Sequence, residues 1–281
     1  MARWFQNGRE TVAISVNDRG LQYADGVFET IAIRNGEPRL WSLHIERLEL
    51  GCRRLGIDVP DALFLASQVA DATMTAGYVD DDALLKIIVT RGEGERGYAP
   101  RDDSLPTVLL GLFARPLYPQ RHYVSGVDVR ICHTRLASQP RTAGIKLLSR
   151  IDQVLARSEW SDSSVAEGLM LDQSGAPVCG TMTNLFVIVD DTLHTPEITQ
   201  CGVSGVMRRH ILTLAHLNGI PVTTGSLTID MLNSADEIFL CNSQIGIWPV
   251  SRCGRRSVND WPATRNLMSL LRLSGVIEGP Q

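Results

Sequence analysis

Hydrophobic and polar positions first alternate at strand spacing and then switch between strand and helix spacing, the pattern of sheets covered by helices. Residues 11–16 predict a short strand, closed by the turn residues Asn17-Asp18-Arg19-Gly20. Residues 27–33 predict a second strand, entered through Asp25-Gly26. Asn35-Gly36 then suits a tight hairpin, because both central positions of that turn need positive φ, and Leu40-Trp41 continues the return strand. Ser42 is placed to cap a helix in which Ile45, Leu48, Cys52 and Leu55 form one apolar stripe and which Gly56 closes. His44 and Arg47 lie off that stripe, where a solvated surface is the ordinary outcome. A second helix is predicted over 61–76.

The β-branched run 83–90 predicts another strand, with Lys86 on an edge or facing solvent. It ends in Arg91-Gly92-Glu93-Gly94-Glu95-Arg96-Gly97-Tyr98, a polar glycine-rich loop of the kind on which sites are built, with arginines able to meet an anion. A strand at 107–113 is followed by residues 114–126, whose Pro116 and Pro119 mark a link. The expected organisation is a small N-terminal α/β domain over 1–113, the linker 114–126 and a larger C-terminal α/β domain over 127–281. In the second part, strands are predicted at 127–131, 167–171, 184–189 and 237–243, and a helical pattern runs through Leu148, Ile151, Val154 and Leu155. Gly202-Val203-Ser204-Gly205 leads into a helix reaching Leu217; a glycine-rich entry to a helix leaves free N–H groups at the positive end of its dipole, which suits a phosphate.

Composition adds exclusions. With 44% hydrophobic and 21% charged residues the chain reads as an ordinary globular protein, and a net charge of −4 gives no reason to expect nucleic acid or a membrane surface as partner. The six cysteines form no Cys-x-x-Cys pair and no histidine cluster has metal spacing, so no metal is expected and the compartment is read as the reducing cytoplasm. The N-terminus lacks a signal-peptide core. One bias is informative. Of 27 basic residues only Lys86 and Lys146 are lysines, and a lysine, unlike an arginine, can lose its proton and act as base or nucleophile. Lys146 stands after Thr142-Ala143-Gly144 in an apolar turn before a helical pattern, a position that marks it as the candidate reactive amine.

Several stretches resemble the class IV (fold type IV) pyridoxal-phosphate enzymes, which include branched-chain and D-amino-acid aminotransferases and aminodeoxychorismate lyase. Residues 18–30, from Asp18-Arg19-Gly20 to Phe28-Glu29-Thr30, resemble the family's N-terminal signature, and His44-Ile45-Glu46-Arg47-Leu48 its His-x-x-Arg-Leu helix. Gly205-Val206-Met207-Arg208 resembles the phosphate-cradling turn, and Asn242-Ser243 with Trp248-Pro249-Val250 the last active-site strand. Gly144-Ile145-Lys146 with Arg150-x-x-Gln153 resembles the lyase branch, as does the loop 91–98, although Leu147 and Ser149 stand where lyases often carry His and Asn.

The resemblance implies a D-amino-acid-aminotransferase-like fold of two α/β domains, with pyridoxal 5'-phosphate between them and a homodimeric assembly. It implies that Lys146 holds the cofactor through a carbon–nitrogen double bond and then serves as the base. It assigns Arg47, the amides of Val206 and Met207, and Ser243 to the cofactor phosphate. Arg96 and Thr30 are the candidates for the substrate, aminodeoxychorismate, whose elimination gives pyruvate and 4-aminobenzoate. Cys179 stands where the family places a glutamate beside the pyridine nitrogen. A thiol of ordinary pKa about 8.5 is mostly neutral near pH 7 and is a poor replacement for a carboxylate. That departure leaves three readings open: a lyase working with a weaker electron sink, a class IV aminotransferase, or a chain that keeps the fold without the chemistry.

Overall fold

Three long apolar runs, Gly26–Arg34, Ala83–Thr90 and Thr107–Ala114, pair antiparallel as the centre of a six-stranded sheet. The structure, a computed structural model, describes residues 2–101 and 103–276. The sheet runs in the order Arg9–Thr11, Arg3–Gln6, Thr107–Ala114, Ala83–Thr90, Gly26–Arg34, Glu37–Pro38. Strand alternation sends Ile31, Leu85, Ile87, Leu110 and Leu112 to one face, where helices Trp41–Leu55 and Ala62–Ala76 bury them. The other face presents Phe28, Thr30 and Lys86, all half-buried, with Thr30 and Lys86 directly paired across strands.

This first compact unit comprises residues up to Leu117 together with Ile145–Ser149. The inclusion of that short segment has a local cause. The return strand of the Asn35-Gly36 hairpin is only Glu37–Pro38; one more bond, from Arg39 N–H to the Ala32 carbonyl at 2.8 Å, follows before Leu40 (φ 53°) turns the chain into helix Trp41–Leu55. The edge of Gly26–Arg34 near its start therefore stays open, and Ile145–Ser149 takes it. Phe28 N–H donates to the Lys146 carbonyl at 2.9 Å, Leu148 N–H to the Gly26 carbonyl at 3.0 Å, and Val27 bridges Leu147. Ile145, 1% exposed, joins the core of this unit. A Cβ on Gly51 would lie 2.8 Å from Val27 and 2.9 Å from Ile145, so helix Trp41–Leu55 approaches only because it carries glycine there. The lysine thus belongs to the first unit and not, as its place in the sequence suggests, to the C-terminal one.

The second unit, Tyr118–Gly144 with the residues from Arg150 on, is built on a nine-stranded sheet. Asn184–Val189, Glu237–Asn242, Gly246–Cys253, Val127–Arg135, Val165–Leu171 and Pro177–Gly180 pair in that order, and Cys179 pairs back onto Asn184, which closes the six into a ring. Leu169, Leu185, Val187, Ile238, Leu240 and Trp248 fill its core. Helices Val206–Leu217 and Pro262–Leu273 accompany this sheet.

Four local expectations change. Residues 11–16 are not a strand: Asn7 (φ 49°) and Gly8 (φ 81°) turn the chain earlier, between Arg3–Gln6 and Arg9–Thr11, and Val12 and Val16 stay exposed. Helix Trp41–Leu55 starts before Ser42, with Leu40 in the left-handed region and no side-chain cap. The helix after Lys146 is only Ile151–Arg157, and Ile151, Val154 and Leu155 are exposed instead of core. Lys86 is half-buried, not solvated. Replacing Ile145 by Ala should cost roughly 2–5 kcal/mol of stability by leaving a cavity under the lysine segment, read as a lowered midpoint in urea or thermal unfolding.

Candidate functional site

Strand Gly26–Arg34 sorts the chemistry of the first unit onto two faces. Phe28 and Thr30 point to the open face, and Glu29, between them, points to the helix side. Above the open face the Lys146 amine sits 4.4 Å from the centre of the Phe28 ring, and the Lys86 amine sits 5.2 Å from the same ring. The only two lysines in the chain are therefore gathered around one aromatic ring. Burial holds the Lys86 ammonium below its ordinary value. Among the described residues it makes no hydrogen bond or ion pair, so its charge is available to an incoming anion. Lys86 is the residue that pattern reading discounted; its signal is the strand register, which pairs it with Thr30.

On the opposite face Glu29, 1% exposed, accepts from His44 Nδ1 at 2.6 Å and from Arg47 Nε at 2.7 Å and Nη2 at 2.5 Å. Burial would raise its pKa, but the charge of Arg47 and the hydrogen bonds from Arg47 and His44 outweigh it and hold the carboxyl down to about 2. Burial keeps His44 below its ordinary value despite Glu29, so the ring is neutral near pH 7 and donates from Nδ1. Arg47 is thus a largely buried guanidinium aimed by a carboxylate, not a solvated surface charge. A charged Glu29 inside the apolar run 27–33 was the available sign of this partner.

The loop after Arg91 separates its two arginines. Arg91 is 8% exposed and committed to Asp25 and to the carbonyls of Leu55 and Gly56. Arg96 is exposed and, among the described residues, makes no hydrogen bond or ion pair.

In the second unit, strand register brings Cys179, Asn184 and Cys241 side by side. Asn184 Nδ2 donates to the Val203 carbonyl at 2.8 Å, and a Cβ on Gly205 would lie 1.8 Å from Asn184 Oδ1, so only glycine fits. Gly205 provides no side-chain cap for helix Val206–Leu217, which leaves the Val206 and Met207 amides directed outward at its positive end. Arg208 turns away, donating to Thr195 Oγ1 at 3.0 Å and to the Pro196 carbonyl at 2.9 Å. Asn242 Oδ1 accepts from the amides of Gln244 and Ile245 in the turn that carries Ser243, and Asn242 Nδ2 donates to the Met182 carbonyl at 3.1 Å.

The predicted residues therefore fall into two sets: Lys146, Arg47, Thr30 and Arg96 on the first unit, and Cys179, Val206, Met207 and Ser243 on the second. On the first unit an amine and a fixed guanidinium, and on the second an uncapped helix start, are groups each suited to part of a phosphorylated aldehyde cofactor. Cys179 fits its pyridine nitrogen less well. Burial and then the nearby Glu167 carboxyl push the thiol up to about 12, so it stays neutral. Glu167, 1% exposed, supplies no free carboxylate instead: it accepts from the amides of Gly168, Thr181 and Met182 and from the Thr181 and Thr183 hydroxyls.

A model of the amino-transferase class IV family matches residues 26–253. The crystal structure of 4-amino-4-deoxychorismate lyase from Pseudomonas aeruginosa is 45% identical and superposes with a TM-score of 0.92, covering 98% of this chain and all of that one. Aminodeoxychorismate lyase from Vibrio harveyi is 37% identical over 87% of this chain and 89% of its own length. A putative branched-chain-amino-acid aminotransferase from Methanocaldococcus jannaschii is 31% identical over 88% and 85% of the two chains.

Glu29→Gln should destabilise the protein by roughly 3–5 kcal/mol, because it leaves the Arg47 charge buried without its counter-charge. The depressed pKa sets the sign: the contribution of Glu29 is complete above its ordinary 4.5 and is lost as pH falls toward about 2. Urea midpoints measured across that range should fall steeply in the wild type and more gently in the variant.

Proposed function

As this chain belongs to the class IV aminotransferase family, we propose that it is a pyridoxal-phosphate-dependent 4-amino-4-deoxychorismate lyase that releases pyruvate and 4-aminobenzoate. The full-length likeness to lyases supports the reaction class. Within the chain, the neutral thiol at Cys179 is the observation that favours elimination over amine transfer. When bound, pyridoxal phosphate supplies a carbonyl that captures the substrate amine and a ring that withdraws electrons from the carbon beside it. A neutral thiol leaves that withdrawal weak, and a reaction that ends in an aromatic ring requires less of it than transamination does.

Each residue then has a task its surroundings permit. The Lys146 amine would hold the cofactor and, when free, would take the proton from the ring carbon that bears nitrogen. The carbon–oxygen bond on the neighbouring carbon breaks, its electrons leave with enolpyruvate, and the new double bond completes the aromatic ring. Enolpyruvate takes up a proton to become pyruvate. Arg47, aimed by Glu29, the amides of Val206 and Met207, and the Ser243 hydroxyl bind phosphate. Arg96, Thr30 and the Lys86 ammonium receive the substrate and its carboxylates.

We place the enzyme in the cytoplasm as a homodimer. All six cysteines are free and buried, as suits a reducing compartment. Among the described residues, no helix is long and apolar enough to cross a membrane. Exposed Val154 and Met182 line a cleft of about 570 Å³, and Ile151 and Leu155 of the same helix as Val154 are exposed too, apolar surface that a second copy would cover.

Purified protein given aminodeoxychorismate and no keto-acid acceptor should release pyruvate, and Lys146→Ala should lower the rate roughly 10²–10⁴-fold. Amine transfer to a keto acid without pyruvate release would instead establish an aminotransferase. A colourless protein that takes up no added cofactor would establish the fold-only reading. Cys179→Glu should keep lyase activity and gain mainly in transamination; a drop in lyase activity with no such gain would end the weak-sink account. Sedimentation should give a mass near twice 30.9 kDa; a monomer at micromolar concentration would remove the dimer.

A further inference from the structure

We propose that Arg19 is a positioning residue for substrate binding: it clamps the loop that follows Arg91 so that Arg96 is presented to a substrate carboxylate. The inference rests on the reading of Arg96 as a carboxylate seat. Arg19 is 4% exposed, and Nε donates to Asp25 Oδ2 at 2.9 Å. Its two terminal nitrogens donate to the carbonyls of Gly97 and Tyr98, each at 2.9 Å. Those are the two carbonyls directly after Arg96. A planar guanidinium presents its donors in a rigid fork, so the backbone at 97–98 is held at a fixed distance and angle.

Tyr23 completes the clamp. Its hydroxyl accepts from the Gly97 amide at 3.2 Å, its ring lies 4.8 Å from the Arg19 guanidinium, and it meets the Tyr98 ring edge-on at 5.6 Å. At the front of the loop, Arg19 N–H donates to the Gly92 carbonyl at 2.8 Å and Gly94 N–H to the Asn17 carbonyl at 3.1 Å. A Cβ on Gly94 would lie 2.8 Å from Arg19 Cδ, so the stem of Arg19 rests directly on the loop. Asp25 pairs with both Arg19 and Arg91 and offsets one of their two charges. Burial would raise its carboxyl pKa, and the hydrogen bonds from Arg91 and Arg19 outweigh that and keep it below the usual range.

Glu95 and Arg96 are exposed between these two anchors. A loop with glycine at 92, 94 and 97 has many conformations when free, and ordering it on binding would cost affinity. Anchoring it beforehand removes the backbone share of that cost and leaves Arg96 only its side chain to order.

The test uses the holoenzyme and four variants: Arg19→Gln, Arg19→Lys, Tyr23→Phe and Arg96→Ala. KM and kcat for aminodeoxychorismate are measured for each, and for the first and third also in the Arg96→Ala background. The unfolding midpoint controls for folding, and trypsin cleavage after Arg96 reports on the loop. Arg19→Gln should raise KM about tenfold and Tyr23→Phe about threefold, with kcat within about twofold, the size expected when hydrogen bonds outside the reacting centre are lost. Arg19→Lys, which keeps the charge without the fork, should not restore KM. Both KM effects should vanish once Arg96 is alanine, and cleavage after Arg96 should speed up in Arg19→Gln. KM effects that persist beside Arg96→Ala, or unchanged KM and cleavage in well-folded variants, overturn the clamp and leave the carboxylate seat standing. A wild-type KM in Arg96→Ala overturns both. Tyr23→Phe removes a single hydroxyl and carries the same comparison should Arg19→Gln fail to fold.

Discussion

Two backbone hydrogen bonds between the start of strand Gly26–Arg34 and the Lys146 segment place the candidate reactive amine. They exist because the neighbouring return segment turns away into a helix at Leu40 and leaves the start of that edge unpaired. An unpaired edge is ordinarily a liability, and here a five-residue segment from far along the chain satisfies it. Ile145 secures the segment in the core from one side, and Phe28 lies under the amine on the other. The catalytic candidate is therefore held by a sheet, not by a loop, which suits a group that must meet a reacting carbon within a few tenths of an ångström.

The same strand separates charges of opposite sign. Successive side chains point to opposite faces, so Glu29 goes to the helix side, where Arg47 and His44 surround it, and Phe28 and Thr30 go to the side where both lysines gather. With the carboxylate buried and already neutralised by Arg47, the open face carries the Lys86 ammonium beside the Lys146 amine. An anionic substrate would meet lysine charge without a competing carboxylate from that strand.

The ring of strands in the second unit does a different job. Its register sets Cys179 beside Asn184 and Cys241, and Asn184 fixes the turn that precedes helix Val206–Leu217. The part of the proposed phosphate seat that this helix start offers is thus backbone, with Gly205 required by contact and Arg208 turned inward. A backbone seat depends little on side-chain identity, whereas the partner of the pyridine nitrogen depends on it entirely. On the proposed reading, a cysteine at 179 therefore alters the chemistry expected of the site.

Much was legible in the residues alone. The strands 27–33 and 83–90, the Asn35-Gly36 turn, the stripe of Ile45, Leu48 and Cys52, and the glycine-led helix start follow from local spacing and turn chemistry, which need no distant partner. Lys146 and the glycine-led Val206–Met207 helix start stood out from residue type and place, whereas Arg47 and Cys179 were marked only by the resemblance of their motifs to the class IV family. Only the tertiary structure decided what those residues meet. Lys86 became a second amine beside Phe28 through cross-strand register, and His44 and Arg47 left the surface because Glu29 lies beneath them. Ile151, Val154 and Leu155, apolar and helically spaced, stayed exposed because helix Ile151–Arg157 buries a different side, that of Ala156. Periodicity records which side chains share a face; which face is covered, and by what, is settled by residues dozens of positions away.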